Sequence, residues 1–179
     1  MTKLKESELS LIISQIELVA FDFDGVFTDN TVLISETGIE SVNCWRSDGI
    51  GIKRLIEKKI KIYIISSEIN QVVSTRAKKL NIPCLQGVKN KKKAIINVCS
   101  DLNICMKRTA FVGNDLNDIP ALQIVGIPIC VGDAYPEIIP YTIYQTEKNG
   151  GRGAVREVCD LIYVSKINQK KHELKLQNH

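Results

Sequence analysis

Four short apolar runs recur along the chain, at 16–22, 61–66, 108–113 and 127–131, and the stretches between them carry apolar residues at helical spacing. Runs of this length, bounded by turn residues, read as fully buried strands. Ile52, Leu55 and Ile56 mark a first intervening helix; Ile69, Val73, Ala77 and Leu80 a second; Ala94, Ile95, Val98 and Leu102 a third. A short helix is expected within 118–125 and a long one over 154–167, with weaker strands at 83–86 and 142–146. Alternation of this kind requires crossover connections and therefore a mainly parallel sheet. Helices then cover both faces, which is why the strands are apolar throughout. The fold class expected is α/β, a doubly wound Rossmannoid sheet without a large cap domain. One segment breaks the rhythm. Residues 31–45 show β-rich stretches around Glu36, Thr37 and Gly38 and read as a short hairpin flap. The 179 residues suit a single domain over 1–179, ending in a tail from about 165.

Residue usage excludes several chemistries. The only histidines are His172 and His179, both in the tail, so a Ser-His-Asp triad, a Cys-His dyad and a His-ligated zinc are all disfavoured in the body. Six cysteines form no C-x-x-C pair, and several sit in apolar segments; they read as buried thiols of a reducing compartment. No apolar run is long enough to span a bilayer, and the charged, helix-patterned N-terminus lacks the features of a signal peptide. The cytoplasm is the default location. The net charge of +4 is concentrated in Lys89 to Lys93 and in the tail. Without aromatic interleaving this does not indicate nucleic acid, and modest positive charge suits a small anionic substrate. If the chain is an enzyme, carboxylates and lysines carry the chemistry.

Ligands of a doubly wound sheet bind beyond the carboxyl ends of its strands, so the residues after each run belong together. The first exit holds Asp22 and Asp24, then Gly25, which permits a tight turn. Two acids this close repel unless one is protonated or a cation binds, and a magnesium ion meets that need with oxygen ligands. The second exit holds Ser66, Ser67 and Glu68; a hydroxyl here serves either as a helix cap or as a donor to a phosphate oxygen. Lys91 follows, before a helix, where an ammonium can stabilise a phosphoryl group. The next exit holds Asn114, Asp115 and Asp118, either a capped loop or the remainder of a metal site.

An acidic pair, a hydroxyl, a lysine and an amide-acid cluster, in that order at successive strand exits, resemble the four motifs of the haloacid dehalogenase superfamily of phosphotransferases. The segments DFDGVFTD, SDGIGIKRL, QGVKNKKKA, FVGNDLNDIPAL, VGIPICVGDA and GGRGAVREVCDLI together extend the resemblance over nearly the whole chain after residue 17. They look like small tetrameric phosphatases of 3-deoxy-manno-octulosonate 8-phosphate, like phosphatases of nine-carbon sugar-acid 9-phosphates, and like the phosphatase-like domain of some sialic-acid-activating cytidylyltransferases. GGRGAVRE is the most specific of these matches. Two departures stand out. The octulosonate enzymes usually carry Thr-Gly-Arg where this chain has Ser66-Ser67-Glu68, which tilts the reading towards the nine-carbon branch. Asn114 replaces the aspartate of many relatives, giving an amide oxygen without charge.

The resemblance implies the following roles. Asp22 attacks phosphorus and forms an aspartyl-phosphate, while Asp24 protonates the departing hydroxyl and later activates water. Mg²⁺ is held by Asp22, the backbone carbonyl of Asp24 and Asn114, with Asp115 and Asp118 in support. Lys91 offsets charge, and Ser66 and the Gly25 region bind phosphate. Glu68 reads the sugar end, Asp48 either caps its own helix or meets the substrate, and Arg152, among Gly150, Gly151 and Gly153, meets a substrate carboxylate. A homotetramer is implied, with the hairpin at an interface and the tail near a neighbouring site. Two rival readings are a fold retained mainly as a tetramerisation module and a phospho-accepting receiver domain, the latter disfavoured because Asp22 follows the first strand.

Overall fold

The computed structural model describes residues 5–177. A first helix, α1 (Glu6–Ser14), leads into β1 (Leu18–Phe21), and the hairpin β2 (Leu33–Ile34) and β3 (Glu40–Ser41) follows. Then come α2 (Asp48–Glu57), β4 (Lys61–Ile65), α3 (Val72–Leu80), β5 (Cys84–Leu85) and α4 (Lys91–Leu102). The chain continues through β6 (Thr109–Gly113), α5 (Ile119–Leu122), β7 (Ile127–Cys130), β8 (Tyr144–Gln145) and α6 (Ala154–Gln177). Six strands form one sheet in the order β5-β4-β1-β6-β7-β8, every pairing parallel, while β2 and β3 pair antiparallel as a separate ribbon.

Leu18, Val19, Ala20 and Phe21 are all fully buried, as a central strand covered on both faces requires. Phe27 returns against the end of that strand, edge-on to Phe21 at 5.6 Å and stacked on Phe23 at 5.9 Å between centroids. The helices pack around this sheet, α6 lying against both α1 and α2. Among the described residues no helix is long and apolar enough to cross a membrane.

The structure corrects several boundaries. The main strands are one to three residues shorter than expected: Ile16, Glu17 and Asp22 lie outside β1, Ser66 outside β4, Arg108 outside β6 and Val131 outside β7. Ile69 is not part of α3; it lies in the loop before the helix and is exposed, as is Ile56 on the outer side of α2. Lys91 does not precede α4 but is its first residue, after the cap Asn90. The tail expected from 165 continues α6 to Gln177, and residues 178–179 lie outside the described residues. All six cysteines are free thiols, but Cys105 is exposed where a buried one was expected.

Candidate active site

Asp22 leaves the sheet at the end of β1, between β4 on one side and β6 on the other, where the winding of the sheet reverses. Its N–H still donates to the carbonyl of Val112 at 2.9 Å, so the register of β1 with β6 fixes where the carboxylate starts. Gly25 turns the chain with φ of +76°, and its N–H donates to Thr28 Oγ1 at 3.1 Å. A Cβ at Gly25 would lie 2.0 Å from the Asn114 amide, so only glycine lets the turn after β1 press against the exit of β6.

Lys91 binds these exits together. Its Nζ lies 2.7 Å from Asp22 Oδ1 and 2.7 Å from Asp118 Oδ1, and all three side chains are buried. The other Asp118 oxygen accepts the backbone N–H groups of Asn114 at 2.9 Å and Asp115 at 3.3 Å. A lysine in the first turn opposes the helix dipole, a cost of about 0.3–1 kcal/mol. Here two carboxylates offset it, and Asn90 caps α4 by accepting the N–H of Lys93 at 2.9 Å. Burial pulls Lys91 down, but Asp22 and Asp118 outweigh it and hold the ammonium above its ordinary range. Burial, then the charge of Asp118, pushes Asp22 up to about 7 against the pull of Lys91. Asp24 is also raised, by burial first and then by the carboxylates of Glu68 and Glu40.

Asp22, Asp24, Asn114 and Asp115 line one open cleft of about 280 Å³, together with Asn30, Ser67, Leu116 and Asn117. Asn114 Oδ1 is buried there without a hydrogen-bond partner. An unpaired buried carbonyl beside a carboxylate of raised pKa is the electrostatic deficit that a divalent cation removes. Among the described residues no three His, Cys, Asp or Glu side chains cluster to hold a metal. The oxygen-bearing side chains that line the cleft are the carboxylates of Asp22, Asp24 and Asp115, the amides of Asn30, Asn114 and Asn117 and the hydroxyl of Ser67. Oxygen donors of that kind fit a hard ion such as magnesium.

Other expected residues are placed elsewhere. Ser66 is buried and its Oγ accepts the N–H of Glu68 at 3.1 Å, while the hydroxyl lining the cleft is that of Ser67. Glu68 folds back on its own turn, Oε1 accepting from the N–H groups of Ile69 at 2.6 Å and Asn70 at 2.7 Å. Asp48 neither caps its own helix nor faces the cleft. It is fully buried, and its Oδ1 accepts the N–H of Arg156 at 3.1 Å, so it caps α6. Burial pushes its carboxyl up to about 7. Arg152 is exposed, pairs with Asp29 at 2.9 Å and lines a separate cavity with Trp45 and Tyr144. The glycines around it serve packing: Gly150 and Gly151 fit so tightly against the 25–29 turn that a Cβ on either would meet backbone within 2.3 Å. Thr28, Ser67, Asn117 and Glu40 escaped sequence reasoning as individuals. Ser67 and Asn117 sit inside motifs already singled out, whereas nothing in the local pattern marks Glu40.

Comparison with known proteins identifies a family for the chain. The family model described as haloacid dehalogenase-like hydrolase matches residues 52–158, a span that holds Lys91, Asn114 and Asp118. The 3-deoxy-D-manno-octulosonate 8-phosphate phosphatase KdsC of Escherichia coli is 38% identical over 84% of this chain and 80% of its own. The crystal structure of 3-deoxy-D-manno-octulosonate 8-phosphate phosphatase from Moraxella catarrhalis, in complex with magnesium, phosphate and a KDO molecule, superimposes with a TM-score of 0.88. It is 31% identical and is covered over 99% of its length and 96% of this chain. A cobalt-bound phosphatase of the same kind from Haemophilus influenzae gives a TM-score of 0.83 at 27% identity, covering 87% of this chain and 91% of that one.

Proposed function

The chain belongs to the haloacid dehalogenase-like hydrolases, and from that premise we propose that it is a phosphomonoesterase removing the terminal phosphate of an eight- or nine-carbon 2-keto-3-deoxy sugar acid. The observation that carries this reading is that Asp22, held by the buried Lys91, shares one cleft with the unpartnered Asn114 Oδ1. A phosphate ester is a dianion and repels a carboxylate. Lys91 lowers that barrier by holding Asp22 Oδ1, which leaves Oδ2 to attack phosphorus in line. The P–O bond to the sugar breaks as the Asp22 O–P bond forms, and Asp24 delivers its proton to the departing oxygen. Asp24 then takes a proton from water as that water attacks the phosphorus on Asp22, releasing inorganic phosphate and restoring both acids. A carboxyl raised by burial and by acidic neighbours suits that alternating role. Ser66, Ser67 and the N–H groups near Gly25 are the proposed donors to the phosphate oxygens.

Asp22, the Asp24 carbonyl and Asn114 would hold magnesium, which would supply charge neutralisation at the phosphate. Asp118 orients the Asn114 backbone, and Asp115 completes the rim. The magnesium in the Moraxella catarrhalis relative supports this assignment.

The relatives named for octulosonate 8-phosphate favour the eight-carbon acid. Glu68, standing where those enzymes usually carry arginine, favours a nine-carbon acid. A side-by-side assay of both phosphates decides between them. A homotetramer is part of the same proposal, supported by the exposed apolar surface of Leu33, Ile34 and Ile39 on the hairpin. Asp22→Asn is expected to lower kcat with magnesium by at least ~10³-fold while the circular dichroism spectrum stays unchanged. A variant with near wild-type turnover would refute the covalent route.

A further inference from the structure

The hairpin strands β2 and β3 are two residues long, and Leu33 and Ile34 are exposed. A ribbon this small is marginal by itself, so its position depends on what ties it down. Two hydrogen bonds join it and its base to the body. Arg76 Nη2 donates to the Trp45 carbonyl at 2.9 Å, and Asn70 Nδ2 donates to Glu40 Oε2 at 2.9 Å. Asn70 is itself fixed: its Oδ1 accepts the N–H of Val72 at 3.1 Å and its N–H donates to Glu68 at 2.7 Å. A rigid amide on the turn after β4 thus grips the carboxylate of β3.

This contact lies beside the cleft. Ser67 lines the cleft, and the next residue, Glu68, lines a groove of about 650 Å³ between residues 38–40 and 68–71. The cleft, at about 280 Å³, is small for a ligand site, so an ester longer than a phosphoryl group and its first carbons must extend past it. The groove presents the carboxylates of Glu40 and Glu68 and the amides of Asn70 and Gln71. Such a lining offers acceptors and donors to the hydroxyl groups of a sugar chain.

We propose that Asn70 and Glu40 are positioning residues: their hydrogen bond sets the width of this groove and so selects long polyhydroxy phosphate esters over short ones. The proposal rests on the phosphatase reading for its substrate class, but the latch itself is tested independently of activity. Asn70→Asp places a carboxylate against Glu40 and pushes the hairpin outward. Adding Glu40→Gln restores a donor–acceptor pair with reversed polarity. Trp45 is the only tryptophan and sits at the hairpin base, so acrylamide quenching of its fluorescence reports the hairpin directly.

Asn70→Asp is expected to raise the quenching constant about twofold and to lower kcat/KM for octulosonate 8-phosphate about tenfold, the size of one charge-assisted contact. Hydrolysis of acetyl phosphate, too short to reach the groove, stays within about twofold of wild type. The double variant recovers both signals. Unchanged quenching in Asn70→Asp, or a double variant no better than the single one, would overturn the proposal. Wild-type protein inactive on every phosphate ester would sink the phosphatase reading instead and leave the quenching result to judge the latch.

Discussion

The ion cluster at the strand exits and the hairpin beside it are built by opposite means. Asp22, Lys91 and Asp118 are buried and lock one another at 2.7 Å, each on a residue next to or within a regular element of the core. The hairpin has two-residue strands, exposed apolar side chains and few bonds to the body. Geometry at the cluster is enforced by charges that have no solvent to fall back on. Geometry at the hairpin is held by contacts worth only about 0.5–1.5 kcal/mol each. Chemistry, which tolerates little misplacement, sits on the first kind of structure. Selection among substrates and assembly with other copies are proposed for the second.

The difference is sharpest under substitution. Lys91→Met leaves two carboxylates facing each other in the interior. It is expected to cost about 3–5 kcal/mol in urea unfolding and nearly all turnover. Little loss of stability would mean that the cluster is solvated and its contrast with the hairpin false.

Asp48 gives an intermediate case, buried but remote from the cleft. Its carboxyl, pushed up to about 7 chiefly by burial, keeps its proton in the folded state after the unfolded chain has lost it, near pH 4. Its contribution to stability is therefore greatest below about pH 4 and is lost as pH rises to 7. Asp48→Asn keeps an oxygen for the Arg156 N–H and removes that loss. The variant should gain on the order of 2–4 kcal/mol over wild type between pH 4 and pH 8. Parallel stability curves for the two proteins would show that Asp48 does not titrate in that window.

The smallest expected effect on the fold lies at the hairpin. Leu33→Asp should change unfolding stability by less than about 0.5 kcal/mol, since the side chain is already exposed. Light scattering should show a smaller assembly than wild type. A large loss of stability at constant assembly would mean that Leu33 belongs to the fold rather than to an interface.

The same contrast explains what the sequence made legible. Parallel strands buried on both faces must be continuously apolar, so β1, β4, β6 and β7 and the residues after them stood out, and with them Asp22 and Asn114, while Lys91 stood out by its place at the start of a helix. Side chains on turns and helix ends did not. Whether Glu68 points at a ligand or at its own backbone depends on a turn conformation that no periodicity encodes. Asp48 looked like a cap because it opens a helix, and it is one, but for α6, brought near by packing of α2 against it. Arg152 drew attention through its glycines, which are required by the close approach of two backbones rather than by a ligand at that position. Ile69 fitted the helical period by chance, and the chain begins α3 only at Val72.

The central claim is that the Asp22 carboxylate carries phosphate during turnover. Rapid acid quenching during steady-state hydrolysis, followed by peptide mass mapping, tests it most directly. The account predicts one phosphoryl group on the peptide containing Asp22, labile in alkali and absent in Asp22→Asn. A phosphoryl group on another residue, or unmodified Asp22 under conditions where chemistry outruns phosphate release, would contradict it.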